Sequence, residues 1–413
     1  MNGKKQVLRI LYCSTALSFG GEQKQLEKIL SNLNREHFQP VVCSIRPFGY
    51  VDGAIQDLAA KFLCLGVASP YNLPGAIRGL RQIIRENGID LIHLGIFGSE
   101  FSGLLAAMST GVPVVALLPT TYDPKVRIAT TSAENAAWHY RWRTYCKLRT
   151  FYFAHAMLAR MANVHYVAYS QFIKESAINN LRLPAERIAV FPIGLNPEKF
   201  NERMLDRETA SRVKNELGLD GTYPILLNVA RLSPVKGQKD LIKAMPRVLE
   251  RFPRAKLLIA GDGPLLPELE RMRDDMGLRR EVLFLGRRDD VNVLLRASDL
   301  FVFSSYYEGL PGAVIEAMAS GRCVVSFDTP SLRSVVEDRR SGVLVQERDA
   351  AKFADTVVDL AEHQDVARKM GERGLQIVKR KYDIRQNLRR LEALYRQMVG
   401  QASLSRSRKE ANV

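Results

Sequence analysis

The chain has 413 residues, 46% of them hydrophobic and 25% charged, enough for two or more ordinary domains, each with its own core. No apolar run approaches the roughly 20 residues that cross a bilayer, and the amino-terminal apolar stretch is too short, and interrupted by Arg9, to read as a signal peptide. The formal net charge of +16 calls for an anionic partner or a field effect, and anionic membrane, nucleic acid and phosphorylated substrate all satisfy it.

In chain order, residues 7–13 read as a buried strand. A Gly20-Gly21 turn follows, then a helix with Leu26, Ile29, Leu30 and Leu33 at helical spacing. Strands are expected at 40–45, 62–67, 90–96, 113–118, 165–170 and 188–193. Helices are expected at 52–61, 73–87, 99–110, 133–162 and 171–181, with Asn87-Gly88 and Gly111 as stops. A charged segment from Gly194 to about Asp220 breaks the rhythm. Strands then resume at 223–230, 255–260, 282–285, 300–305, 323–327 and 342–345, again with helices between them. Strands alternating with helices across short links imply parallel sheets covered on both faces. The expected domains are therefore 1–195 (amino-terminal, Rossmann-like), 196–220 (linker), 221–380 (carboxy-terminal, Rossmann-like), 381–400 (an amphipathic helix) and 401–413 (a polar tail read as disordered). The five cysteines are odd in number, widely spaced and lack a Cys-x-x-Cys pair, which fits a cytoplasmic protein.

The chemistry gathers at strand exits. Glu308 falls in a strand-to-helix loop and Glu316 about one turn into the helix that begins near Pro311 or Gly312, with seven residues between the two acids. A carboxylate at the carboxyl end of a parallel sheet can accept two hydroxyl hydrogen bonds from one sugar diol. The plain alternative is two solvated glutamates. Arg231 and Lys236-Gly237 leave another strand and enter another helix. A guanidinium, an ammonium and helix-terminal N–H groups suit a diphosphate, although two solvated cations are also common. Gly20-Gly21 and Gly261-Asp262-Gly263-Pro264 allow close backbone approach to a ligand, or simply tight turns. There is no Gly-x-Gly-x-x-Gly fingerprint, which disfavours a dinucleotide oxidoreductase.

Taken together these motifs resemble the retaining glycosyltransferases of family 4, over most of the chain. Gly20-Gly21-Glu22-Gln23 resembles the family's amino-terminal loop. The segment from Phe191 to Phe200 is similar to its linker, and Arg231…Lys236-Gly237, Gly261–Pro264 and Glu308…Glu316 are similar to its donor-site motifs. The resemblance implies the α/β GT-B fold: two Rossmann-like domains with parallel sheets facing across a cleft, and a carboxy-terminal helix crossing back to the first. It implies Arg231 and Lys236 on the donor diphosphate, Glu308 on the transferred sugar and Glu316 on the ribose. Gly20, Gly21, Gly263, Gly309, Leu310, Pro311 and Gly312 would support the donor. The donor would be a UDP- or GDP-sugar and the acceptor a glycan or lipid-linked molecule, with no cofactor and no metal. The sequence departs from the family at Gly95, where a His-x-His would place its second histidine two residues after His93, and at Ile193 and Asn196 in the linker. His93 is then either on the sugar side of the site or a buried strand residue.

The stretch 138–153 holds both tryptophans and a run of cations. Trp138, Arg141, Trp142, Arg143, Lys147 and Arg149 suit an anionic membrane interface, as they suit a helix with packed aromatics and a solvated basic face. The first reading would put a cytoplasmic protein peripherally on the inner face of the plasma membrane. A non-catalytic module that binds a nucleotide or glycan and scaffolds other enzymes is the alternative to a transferase. Nucleic-acid binding rests on net charge alone and is not expected.

Overall fold

The computed structural model describes residues 7–15, 21–47, 53–67, 72–95, 99–123, 138–200 and 207–410. Of these, 21–22, 53–54, 138–141, 207–208, 210 and 405–410 are described through their backbone only. The chain divides into two compact units, one made of Met1–Ile193 with Ile384–Val413 and the other of Gly194–Asp383.

The first unit is a seven-stranded sheet in the order β3-β2-β1-β4-β5-β6-β7. Its strands are β1 (Leu8–Ser14), β2 (Phe38–Ser44), β3 (Lys61–Cys64), β4 (Leu91–Leu94), β5 (Val114–Leu118), β6 (Val164–Ala168) and β7 (Ile188–Val190). Every pairing is parallel, and β1, β2 and β5 are almost wholly buried, as continuous apolar runs between two helical layers should be. The helices are α1 (Gly21–Asn32), α2 (Gly53–Leu58), α3 (Leu73–Glu86), α4 (Glu100–Thr110), α5 (Trp138–Met161) and α6 (Gln171–Leu181). Asn72 caps α3 by accepting from the Gly75 N–H, and Gly111 ends α4 in a left-handed turn. The second predicted helix is shorter than 52–61, because the chain enters β3 at Lys61, one residue ahead of the expected strand.

The second unit opens with α7 (Arg207–Glu216) and carries a six-stranded sheet in the order β10-β9-β8-β11-β12-β13. Its strands are β8 (Ile225–Val229), β9 (Lys256–Ala260), β10 (Val282–Gly286), β11 (Leu300–Phe303), β12 (Cys323–Phe327) and β13 (Gly342–Val345). Alternate strand residues feed two cores. Leu226, Leu257, Ile259, Val302 and Val325 pack on one face with Leu241 and Met245 of α8 (Gln238–Arg251) and Phe353 of α13 (Ala350–Glu362). Leu227, Leu258, Phe301, Phe303 and Val324 pack on the other with Leu294 of α10 (Val291–Ala297), Ile315 and Met318 of α11 (Gly312–Ala319), and Ile377 of α14 (Gln364–Lys381). The remaining helices are α9 (Leu266–Asp275) and α12 (Pro330–Arg333).

The last helix, α15 (Ile384–Glu410), packs on the first unit: Tyr395 meets His93, and Glu392 accepts from the Asn34 N–H at 2.9 Å. It corrects the expectation of a disordered tail from Gln401. Ala402 is buried and the Ser403 hydroxyl donates to Val399 O, so the helix runs on to Glu410, and only 411–413 fall outside the described residues. In both sheets the chain reverses direction of growth beside its first strand, between β1 and β4 and between β8 and β11. The crevice at the carboxyl ends of such a strand pair is where open α/β sheets take their ligands.

Candidate active site

In the second unit that position is built from three loops tied to one another. Inside the sheet, Asn228 of β8 is fully buried, and its side-chain amide donates to Val302 O of β11 at 2.8 Å, joining the two strands that flank the crevice. Beyond β8 the chain makes a short 3-10 turn, Pro234–Lys236, before α8. The β11 exit is sewn onto this turn: the Ser304 hydroxyl donates to Lys236 O at 2.9 Å, the Tyr306 N–H to Val235 O at 2.9 Å and the Ser305 hydroxyl to Val235 O at 3.3 Å. Gly237 makes the crossing possible. Its φ is +63°, and a Cβ there would sit 2.2 Å from Ser304 O.

Those ties bring Lys236 and Glu308 together, with Nζ 2.6 Å from Oε1 and exposures of 21% and 11%. Partial burial makes this pair stronger than a surface ion pair, because less water screens it. Arg231 stands at the β8 exit with its side chain exposed, and its carbonyl accepts from the buried Gln238 side chain at 3.0 Å. Glu316 lies in the second turn of α11, half-buried. Gly309 and Leu310 form the turn before α11, Pro311 stands at its amino-terminal cap, and open space surrounds Gly312, its first residue. Gly263 is used differently. A Cβ there would lie 2.2 Å from Leu232 O, so this glycine lets the β9 exit pass against the β8 exit. The loops therefore assemble an ammonium and a carboxylate in contact, a guanidinium on the same strand exit and a second carboxylate on the helix that follows. A cavity of about 590 Å³ lined by Tyr223, Asp299, Arg322 and Arg368 lies at the opposite, amino-terminal ends of these strands, away from this chemistry.

In the first unit Gly20 lies outside the described residues, and Gly21 is the first residue of α1. His93 is buried under α15. Its Nδ1 is 2.6 Å from the Tyr395 hydroxyl, its ring lies 4.9 Å from that of Tyr12, and burial lowers its pKa to about 3. The void beside it, shared with Gly95, Leu117 and Tyr169, measures about 30 Å³, too small for a sugar ring.

The basic helix packs some of its aromatics inward and leaves others exposed. Phe151 and Tyr152 of α5 face inward, with Phe151 4.6 Å from Phe101, and His155 lies buried 3.4 Å from the equally buried Glu100. Trp142, Phe153 and Met161 are instead 56%, 69% and 68% exposed, and Arg143, Lys147 and Arg149 are exposed with them. The side chains of Trp138 and Arg141 lie outside the described residues. No described helix is long and apolar enough to cross a membrane.

The model of the family described as Glycosyl transferases group 1 matches residues 210–376, the loops just described included, and the model of Glycosyltransferase Family 4 matches residues 19–199. The chain is a family 4 glycosyltransferase. Two relatives illustrate its kinship. A UDP-Gal:alpha-D-GlcNAc-diphosphoundecaprenol alpha-1,3-galactosyltransferase of Escherichia coli is 26% identical over 76% of this chain and 76% of its own. An alpha-D-kanosaminyltransferase of Streptomyces kanamyceticus is 28% identical over 83% and 86%. Such relatives favour an enzyme over a scaffold. Among solved structures, Anabaena HepE in complex with UDP and glucose superposes with a TM-score of 0.76 at 20% identity, covering 94% of this chain and 99% of that one, which places the glycosyltransferase in the GT-B fold.

Sequence reasoning missed Asn228, Asp240 and Tyr306 around this site. The asparagine inside an apolar strand was the one legible signal, because a buried amide requires a partner. Nothing in the spacing of Asp240 and Tyr306 announces that they meet.

Proposed function

We propose that the glycosyltransferase moves a sugar, with retention of anomeric configuration and without a metal ion, from a UDP- or GDP-sugar to a glycan or lipid-linked acceptor in cell-surface polysaccharide or glycolipid synthesis. The carrying observation is the Lys236–Glu308 contact of 2.6 Å at the strand pair where the second sheet reverses. A sugar diphosphate presents phosphate oxygens on one side of the bond that breaks and sugar hydroxyls on the other, so an ammonium and a carboxylate side by side match its two ends. As the bond from the anomeric carbon to the diphosphate breaks, negative charge grows on the leaving oxygen. Lys236 and Arg231 stabilise it, and fixed charges aimed at developing charge are often the largest single catalytic contribution. Glu308 accepts hydroxyls of the transferred sugar and Glu316 those of the ribose. The acceptor hydroxyl attacks from the face the diphosphate leaves, and its proton passes to the departing phosphate oxygen. The names of the galactosyltransferase relative and the HepE complex support a uridine diphosphate donor.

A panel of nucleoside-diphosphate sugars, read by thermal stabilisation, identifies the donor, and NMR of the product reports its anomeric centre. The expected product keeps the donor's configuration and forms equally well in excess EDTA. An inverted product, or transfer abolished by EDTA and restored by a divalent cation, would contradict the mechanism.

The exposed Trp142 and Phe153, on a helix with five arginines or lysines and no acidic residue, support a second element: cytoplasmic location with α5 resting on anionic lipid.

A further inference from the structure

We infer that Tyr306 is a positioning residue for transfer, holding Lys236 and Glu308 in register through a partly buried hydroxyl–carboxylate bond to Asp240; this rests on the donor-site reading above. Tyr306 lies two residues before Glu308, and Asp240 four residues after Lys236. The Tyr306 hydroxyl donates to Asp240 Oδ2 at 2.5 Å, and the Asp240 side chain is 7% exposed in the first turn of α8. Four strand exits converge on this one residue. Its backbone N–H donates to Val235 O beyond β8, its own loop leaves β11, and its ring stacks on Phe327 at the end of β12 (5.9 Å, 7° between planes). The guanidinium of Arg348, beyond β13 and itself at φ +63°, covers the ring at 4.7 Å. Gly237 is fitted to the same ring, since a Cβ there would lie 3.2 Å from Tyr306 Cζ.

The bond has a second consequence. Asp240 is a buried negative charge beside the helix start at which the donor's own negative charge is to bind. With its oxygen held by Tyr306, the carboxylate is kept at a fixed place. Without the hydroxyl, a buried acceptor is left short of its partner, which costs more than removing both partners together. The carboxylate then competes for the ammonium of Lys236 that Glu308 and the diphosphate require. Ring packing alone would give Tyr306 a structural role. The pairing with Asp240 makes it specific to the charges of the site.

The test compares Tyr306→Phe, Asp240→Asn and the double variant Tyr306→Phe/Asp240→Asn in the full chain, measuring kcat, donor KM and melting temperature. Tyr306→Phe keeps both ring contacts. It is expected to lower kcat about tenfold with donor KM nearly unchanged, and to lower the melting temperature by a few degrees that the double variant restores. The double variant, which no longer buries an unpaired carboxylate, is expected to recover kcat to within about threefold of wild type. Wild-type kcat in Tyr306→Phe, or losses that multiply in the double variant, overturns the inference. Should wild type transfer no sugar from any donor, the donor reading fails. Amide hydrogen exchange of residues 304–311 then decides the staple: exchange there that is at least tenfold faster in Tyr306→Phe, beyond any change in the rest of the second sheet, supports it, and unchanged exchange overturns it.

Discussion

Gly237 and Lys236 are adjacent, yet their constraints differ in kind. The glycine answers to backbone geometry: φ is +63° and the carbonyl of Ser304 occupies the space a Cβ would need. Gly218 has the same φ of +63° with nothing within 4 Å of its missing Cβ, so the two separate backbone strain from close approach. Gly218→Ala should cost about 1 kcal/mol of stability. Gly237→Ala should cost about 2–3 kcal/mol, and should also slow transfer because the β11 loop must shift. Urea denaturation measures both, and equal losses would mean the Ser304 contact is soft. His93 gives a pH prediction. Burial depresses its folded pKa to about 3, below the unfolded value near 6.5. Between these values the unfolded chain binds the proton and the folded chain does not, so stability falls as pH falls from 6.5. The contribution is about 2 kcal/mol between pH 6.5 and 5. His93→Gln keeps a hydrogen-bonding partner for Tyr395 and should flatten the pH dependence by that amount; an unchanged slope would show that His93 binds its proton as readily in the folded chain as in the unfolded one.

Among the elements, α5 and α15 show what a sequence reveals of a helix. The inward stripe of α5 and its basic exposed side were both visible as composition, but which aromatics face which way was not. Trp142 and Phe153 point outward whereas Phe151 and Tyr152 point inward, a distinction of one residue on a helical wheel. Vesicle flotation tests the lipid proposal: replacing Arg143, Lys147 and Arg149 by Glu should abolish binding to anionic vesicles at physiological salt, since each cation contributes about 1 kcal/mol near such a surface. Binding that survives all three changes would contradict it. For α15 the amphipathic pattern of Leu388, Leu391, Leu394, Tyr395 and Met398 was legible in the sequence, and all are buried except Leu394, which is half-buried. The polar run after Gln401 resembled disorder, and the helix continues there through Ala402, whose small side chain carries little hydrophobic signal.

At the scale of the molecule, the alternation of strands and helices announced two parallel sheets, because strands buried on both faces read as continuous apolar runs. Strand order did not follow from that pattern. The reversal between β8 and β11 is a fact of topology, and it turns two distant loops into one site. Arg231, Lys236, Glu308 and Glu316 could be named from residue type and strand-exit position together with family resemblance. The supporting contacts of Asn228, Asp240 and Tyr306 join residues 66 to 74 positions apart, beyond the reach of any periodicity. The most direct test of the account is a kinetic split with one nucleoside-diphosphate sugar, measuring kcat and donor affinity for wild type, Lys236→Ala and Glu316→Ala. Lys236→Ala should lower kcat about 10²–10³-fold with a smaller effect on donor binding, and Glu316→Ala should weaken donor binding at least about tenfold, the loss of a charged hydrogen-bonding partner. Turnover and affinity like wild type in both variants would contradict it.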